Sequence, residues 1–165
     1  MLVLGIDPGT ATTGYGLVRQ RQDGSLEQLA HGAILTPANM PMPERLAKLY
    51  ADLQEIILLH RPAEAAVEKL FFQKNVKTAS SVGQARGVVL LALAQSSLPI
   101  GEYTPNEIKQ SVTGYGSADK IQVQEMVKLL LGLPERPKPD DAADALAVAI
   151  CHLHSSRYQK LIEEE

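Results

Sequence analysis

MLVLGIDPGT, residues Met1 to Thr10, opens the chain and predicts a buried strand that ends in a carboxylate. A short apolar run that is stopped by Pro8 and Gly9 is typical of a buried strand followed by a turn. Asp7 then stands at the carboxyl end of this strand, which is where open sheets place their active clefts. Asp-Pro-Gly also makes a good turn unaided, so this stretch alone leaves Asp7 as either a turn residue or a ligand.

Length and composition favour one globular domain. The chain has 165 residues, of which 45% are hydrophobic, enough to bury a core. No run of about 18 apolar residues occurs, so we expect no membrane partner. The single cysteine, Cys151, excludes an internal disulfide and fits a reducing cytoplasm. Cys151 lies in an apolar helical run, where we expect a buried small hydrophobic residue.

Charge is distributed unevenly along the chain. The net charge of −3 argues mildly against nucleic acid as a partner. The segment from Lys69 to Lys120 nevertheless holds six basic and three acidic residues, a balance of +3, which leaves −6 for the remainder. The basic residues of this segment are Lys69, Lys74, Lys77, Arg86, Lys109 and Lys120. A local basic face is therefore compatible with the acidic total, although a merely solvated surface is the alternative.

The segments after the opening strand predict an α/β fold with a mixed five-stranded sheet flanked by helices. Strands at 13–20 and 26–35 are separated by an Asp23-Gly24 turn, and three strands joined by short turns form an antiparallel meander. Further strands are expected at 65–68 and 100–103. Helices are expected at 44–60 with Pro43 as the first helical residue, at 78–95, from Thr104-Pro105 to about 114, from 117 or 119 to 132, and from 139 onward.

A second carboxylate, Glu68, closes the strand at 65–68. A helix precedes this strand, and a strand that is reached through a crossover helix is normally parallel to the strand it pairs with. If it pairs with the first strand, Asp7 and Glu68 end at the same edge of the sheet. This possible convergence favours a ligand role for Asp7.

Two more carboxylates begin the last helix. Asp140 is explained in part as a helix cap. Asp144 lies among alanines and branched apolar residues, and a buried carboxylate needs a partner. Asp141 and Asp144 share one helical face at spacing i, i+3. With Asp7 and Glu68 they would form a cluster that has no obvious basic partner. Such a cluster requires a hard cation, and oxygen ligands favour Mg²⁺ or Mn²⁺.

The chain resembles the family of RuvC-type Holliday junction resolvases, which have an RNase H-like fold, because it contains several long motifs in the same order. The motifs are GIDPGT, TGYG, VEKLFFQKN, GQARGV, IKQSVTGYGSADKIQVQEMV and DDAADALAVAICH. The resemblance implies a single RNase H-like nuclease domain over residues 1–156, with 157–165 as a frayed acidic tail. It also implies a homodimer in the bacterial cytoplasm that nicks four-way DNA junctions symmetrically in recombination and repair. A junction-binding protein and a branch-migration ATPase, of the RuvA and RuvB type, would be its partners.

The resemblance also assigns roles to individual residues. Asp7, Glu68, Asp141 and Asp144 would be the catalytic carboxylates and would hold two Mg²⁺ ions, for which Mn²⁺ could substitute. One ion would activate water and the other would stabilise the leaving 3′ oxygen. Phe71, rather than Phe72, would stack at the junction, and Lys109 and Lys120 would handle DNA near the cut. Lys69, Lys74, Lys77 and Arg86 complete the predicted DNA-binding set. The helix with Gly83, Ala85 and Gly87 would lie near the dimer interface.

Three other functions fit parts of the sequence. The DPGT turn also resembles the phosphate loop of actin-like and sugar-kinase ATPases, but those proteins need two such domains. A junction-binding module without catalysis would not need four carboxylates. An RNase H-like nuclease that acts on RNA or on RNA/DNA hybrids would need all four, and a competition between substrates separates it from a resolvase.

Overall fold

The computed structural model describes residues 1–69 and 76–163, apart from the side chains of 76, 77, 159–161 and 163. Its described strands are β1 (Leu2–Asp7), β2 (Thr12–Gln20), β3 (Leu26–Leu35), β4 (Glu64–Glu68) and β5 (Ile100–Tyr103). Its described helices are α1 (Met42–His60), α2 (Val76–Gln95), α3 (Pro105–Thr113), α4 (Lys120–Leu131) and α5 (Asp140–Glu163).

The strands form one mixed sheet in the order β3-β2-β1-β4-β5. Strands β1, β2 and β3 form an antiparallel set, which confirms the predicted meander. Strand β4 is parallel to both β1 and β5, as the crossover argument required. The two carboxylate-ending strands, β1 and β4, are therefore adjacent and point in the same direction.

Alternation along β1 separates two hydrophobic layers. Leu4 and Ile6 belong to the core that α1 and α2 cover. Val3 belongs to the core beneath α3, α4 and α5, and Gly5 also faces α5. Because successive side chains of a strand point to opposite faces, Asp7 is directed toward the α5 layer.

Helix α5 lies unusually close to the sheet because glycines replace larger residues under it. A Cβ built on Gly14 would lie 1.9 Å from the carbonyl oxygen of Asp141, and one on Gly5 would lie 2.1 Å from that of Ala145. On Gly16 it would meet the backbone nitrogen of Leu146 at 2.9 Å. The alanine-rich face of α5 and these glycines let the two backbones approach, which places the start of α5 beside the end of β1.

The helix boundaries differ slightly from the predicted ones. Helix α1 begins at Met42 rather than at Pro43, because a proline also fits the second helical position, where its missing N–H would have no partner. Capping boxes begin α3 at Thr104 and α4 at Asp119. Cys151 is buried, as expected. Helix α5 continues to Glu163, beyond the expected domain limit at 156, and the division at that residue stays a prediction.

Candidate active site

Strand register and helix position bring the four acidic side chains to one edge of the sheet. Ile6 pairs with Val67 in the parallel ladder, so the next residues, Asp7 and Glu68, end side by side. Asp7 is also paired with Gly14 across β1 and β2, and Gly14 lies against the backbone of Asp141. The first turns of α5 therefore lie next to the ends of β1 and β4.

Three of these carboxylates are close enough to share one cation. One carboxylate oxygen from each of Asp7, Asp141 and Asp144 lies within 4.8 Å of the other two. Glu68 ends the neighbouring strand, close enough to Asp7 for its charge to raise the pKa of Asp7. Asp140 is exposed and points to other partners, so the structure brings Asp141 rather than Asp140 to the cluster.

Burial and mutual repulsion oppose ionisation within this cluster. Burial, then the charge and hydrogen bond of Glu68, raises the pKa of Asp7 far above its ordinary value. Burial also raises the pKa of Glu68. Burial raises the pKa of Asp144 to about 6, with Lys120 opposing the shift and the neighbouring acids adding to it.

This donor set fits a hard divalent cation. All the donors are carboxylate oxygens, and the close spacing of Asp7, Asp141 and Asp144 leaves negative charge concentrated among half-buried groups. A divalent ion would offset both the burial and the repulsion that raise these pKa values. Oxygen-only sites favour Mg²⁺ or Mn²⁺ over zinc. These carboxylates therefore fit the Mg²⁺ ions that the sequence implies.

Lys120 corrects the expectation that the cluster has no basic partner. Its Nζ lies 3.3 Å from a carboxylate oxygen of Asp140 and 3.7 Å from one of Asp144. Burial lowers the pKa of Lys120, but Asp144 and Asp140 raise it by more. The separation along the chain between Lys120, at the start of α4, and Asp144, on α5, concealed this pairing in the sequence.

A cleft of about 270 Å³ adjoins the acidic cluster. Glu68 and Asp144 line it together with Lys109 of α3 and Lys120 of α4. Carboxylates that can hold a cation thus lie beside two ammonium groups in a space open to solvent. This arrangement suits a phosphate whose charge is shared between the cation and the lysines.

The remaining predicted DNA-binding residues are placed less uniformly. Lys69 follows β4 and is exposed. Phe71 and Lys74 lie outside the described residues, and the side chain of Lys77 is likewise outside them. Arg86 of α2 forms an ion pair with Glu102 of β5, so the protein itself gives this guanidinium a partner.

The sequence reasoning missed the residues that hold the DPGT turn. Thr13 donates its hydroxyl hydrogen to the carbonyl of Gly9 at 2.8 Å. Thr36 donates to the carbonyl of Thr10 at 2.6 Å, and the guanidinium of Arg45 donates to Thr36 at 3.0 Å. These contacts fix the turn that follows Asp7. Only the tertiary structure brings Arg45 and Thr36 to this turn, so no local pattern could have identified them.

Comparison with known proteins identifies close relatives over nearly the whole chain. The sequence model of the family described as crossover junction endodeoxyribonuclease RuvC matches residues 3–152. A crossover junction endodeoxyribonuclease RuvC of Chloroflexus aggregans is 60% identical over 156 residues, covering 94% of this chain and 94% of that protein.

Two solved structures have the same fold as this chain. The RuvC structure of Thermus thermophilus superposes with a TM-score of 0.90 at 37% identity, covering 96% of this chain and 97% of the other. The T. thermophilus RuvC in complex with Holliday junction substrate superposes with a TM-score of 0.87 at 34% identity, covering 96% of each chain. The predicted RNase H-like arrangement, a mixed five-stranded sheet flanked by helices, is thereby confirmed.

Proposed function

We propose, because this chain belongs to the RuvC family of crossover junction endodeoxyribonucleases, that it resolves four-way (Holliday) DNA junctions in recombination and repair by paired symmetric nicks. The family identity makes the chain a nuclease. The observation that supports a catalytically complete member is the convergence of Asp7, Asp141 and Asp144, with Glu68 at the end of the strand beside Asp7.

The proposed cofactor is Mg²⁺, with two ions per site and Mn²⁺ as a substitute. Asp7, Asp141, Asp144 and Glu68 would hold it. When bound, such ions supply a nucleophilic water at neutral pH and stabilise charge on the leaving oxygen. The protein contributes four oxygen donors from three separate elements and the pre-formed turn after Asp7 that keeps the first donor in place.

The two cleft lysines are proposed to position the substrate. Lys109 and Lys120 line the same cleft as Glu68 and Asp144 and can pair with the phosphates of DNA bound there. Lys69, beside the end of β4, extends this basic edge. Phe71 stays in the proposed DNA-binding set on the resemblance, and Lys74 and Lys77 stay in it as residues of the basic segment. Arg86 stays in the proposed set as a residue of the basic segment, and DNA would compete with Glu102 of β5 for its guanidinium.

The proposed partners and location follow from family membership. A homodimer would place two sites on one junction, which paired symmetric nicking requires. A junction-binding protein and a branch-migration ATPase, of the RuvA and RuvB type, would deliver the junction. A bacterial cytoplasmic location is proposed with them. None of the described helices has the length and apolar character needed to cross a membrane.

A substrate competition tests this function. Purified protein is incubated with an end-labelled synthetic four-way junction, with and without Mg²⁺, and with an unlabelled RNA/DNA hybrid or linear duplex as competitor. We expect Mg²⁺-dependent nicks at symmetric positions that an excess of hybrid barely reduces. Preferential cleavage of the hybrid would instead identify a nuclease that acts on RNA, and nicking at full rate in excess chelator would contradict the metal requirement.

A further inference from the structure

A chain of hydrogen bonds on the α5 side of the sheet joins three elements of the fold. His152 of α5 is 6% exposed, and its ring nitrogens are both engaged. Its Nε2 lies 2.6 Å from a carboxylate oxygen of Glu64 on β4. Its Nδ1 lies 2.8 Å from the hydroxyl of Tyr103 on β5. We call Glu64, His152 and Tyr103 the β4–α5–β5 bridge.

The hydrogen bond to Glu64 has one direction. A carboxylate only accepts hydrogen bonds, so the Nε2–H of His152 donates to Glu64. Nδ1 of the same ring forms the second hydrogen bond, with the hydroxyl of Tyr103. Every polar atom of the buried imidazole is therefore satisfied. The two rings also meet edge to face, with centroids 5.7 Å apart and planes at 73°.

Strand register places Tyr103 level with Glu68 of the acidic cluster and Glu64 at the other end of the same strand. Glu68 is paired with Tyr103 across β4 and β5, so both side chains face the α5 layer. Glu64 is four residues before Glu68 on the same strand and the same face. His152 is on the helix whose first turns carry Asp141 and Asp144. The bridge therefore links the strand that carries one ligand to the helix that carries two others.

The fold also makes room for this ring. A Cβ built on Gly101 would lie 2.4 Å from Nδ1 of His152 and 2.9 Å from the ring of Tyr103, so only glycine at this position admits both rings. The glycine contacts of α5 described above lie over β1 and β2. The bridge gives α5 directional contacts on the other side, over β4 and β5.

We propose that Glu64, His152 and Tyr103 are positioning residues that set the separation between Glu68 and the carboxylates of α5. This inference rests on the proposed metal-dependent function. Metal ligands must be held within about 0.5 Å of their productive geometry. Without a cation, like charges in the cluster repel one another, and a hydrogen-bonded link between their supporting elements resists the resulting displacement.

Tyr103→Phe tests the proposal because it removes one hydroxyl and keeps the ring. Mn²⁺ binding to the intact protein, without DNA, is followed by the EPR signal of the free ion. We expect the affinity for Mn²⁺ to fall about tenfold, as when outer hydrogen bonds of metal ligands are removed. Tyr50→Phe is the matched control, since it removes the contact of a tyrosine hydroxyl with Gln95 on the opposite face of the sheet.

Glu64 offers a test by conservative rescue. Glu64→Gln keeps a side-chain oxygen that accepts from Nε2–H, and we expect it to retain wild-type Mn²⁺ affinity. Glu64→Ala removes the acceptor and should weaken Mn²⁺ binding as Tyr103→Phe does. Glu64 is partly exposed, so both variants are compatible with folding.

The outcomes separate this proposal from the proposed function. In one outcome, the wild-type protein binds Mn²⁺ and nicks junctions, and Tyr103→Phe and Glu64→Ala bind Mn²⁺ as tightly as Tyr50→Phe. This outcome would overturn the positioning role alone. Glu64→Gln as weak as Glu64→Ala would also overturn it. Wild-type protein that neither binds Mn²⁺ nor nicks junctions would overturn the proposed function and this inference together.

Discussion

At the residue scale, the metal-free acidic cluster lowers the free energy of unfolding when its carboxylates ionise, because they are buried and close together. Asp7, Glu68 and Asp144 all have raised pKa values, and burial is the largest cause for each. Each therefore binds its proton more tightly in the folded than in the unfolded protein. Stability that comes from these groups is present at low pH and decreases as they are forced to ionise.

Asp144→Asn should make the metal-free protein less sensitive to pH. Since the folded pKa of Asp144 is about 6 and its ordinary value is 3.8, its contribution is fully present below about pH 4 and is lost as the pH rises through 6. The free energy of unfolding of the variant, minus that of the wild type, should increase between pH 4 and pH 7 by on the order of 1 kcal/mol. Urea unfolding in excess chelator measures it.

Asp52→Asn is the control for this pH series, because Asp52 is paired with Lys48 on α1 and lies away from the cluster. The Asp144→Asn difference should also reverse when saturating Mg²⁺ is present, because only the wild type retains the full ligand set. A difference that is independent of pH in chelator would contradict the assigned burial effect.

Lys120→Gln should weaken junction binding and reduce its salt dependence. Lys120 lines the cleft beside the carboxylates. Each lost contact between a lysine and a DNA phosphate makes the plot of the logarithm of the binding constant against the logarithm of salt concentration less steep by about one. Fluorescence anisotropy with a labelled junction in Ca²⁺ measures both quantities. The control is Lys48→Gln, which changes a lysine of α1 and should leave the slope as in the wild type. Equal slopes for the wild type, Lys120→Gln and Lys48→Gln would remove Lys120 from the DNA interface.

The acidic residues of the site could be predicted from the sequence, but the residues that contact them could not. Carboxylates at the ends of two strands could be located because apolar runs and turn residues mark where strands stop, and the parallel pairing of β1 with β4 confirmed their adjacency. Lys120 could not be linked to Asp144, nor His152 to Glu64, because these pairs depend on how α4 and α5 pack. Which carboxylates hold the metal stays a prediction.

At the element scale, the site depends on how closely α5 approaches the sheet. Gly5 and Gly14 leave no room for a side chain under α5, so the helix rests almost on the backbone of β1 and β2. The sequence showed the apolar alternation of these strands and the alanines of α5. It did not show that glycines and alanines face each other, since that requires the strand register and the helix position together.

Gly14→Ala should both destabilise the fold and weaken metal binding. The added Cβ would lie 1.9 Å from the carbonyl oxygen of Asp141, so the start of α5 must shift. Overpacking of this kind costs about 1–3 kcal/mol or more. Thermal unfolding and Mn²⁺ titration measure the two effects. Gly116→Ala is the matched control, because its Cβ would meet only Asn106 at 3.9 Å; similar losses in both variants would contradict the close-approach argument.

At the scale of the whole molecule, the surface of α2 is where we expect the two protomers to meet. Gly87 is exposed, and a Cβ there would meet nothing within 4 Å. Leu91, one turn later, is 51% exposed. Ala85 is fully buried in the protomer core, so it lies on the face of α2 that points away from a partner. The sequence identified the helix by its small residues, but only the structure shows which of them face outward.

Leu91→Glu should convert a homodimer to monomers. A buried charge without a partner at an interface costs several kcal/mol, enough to shift a dimer to monomer at micromolar concentration. Sedimentation velocity measures the change. Leu129→Glu, on the exposed side of α4, is the matched control, since Leu129 is 67% exposed and lies on another helix. A Leu91→Glu protein that sediments like the wild type would place the interface elsewhere.

The most direct test of the central claim is the nicking of a labelled four-way junction by Asp7→Asn protein in Mg²⁺, measured beside its binding of the same junction. Asn keeps the size of the side chain and removes the charge that a cation needs. We predict that Asp7→Asn abolishes nicking while the dissociation constant for the junction stays close to that of the wild type. Nicking at the wild-type rate by Asp7→Asn would contradict a metal-dependent site at the end of β1.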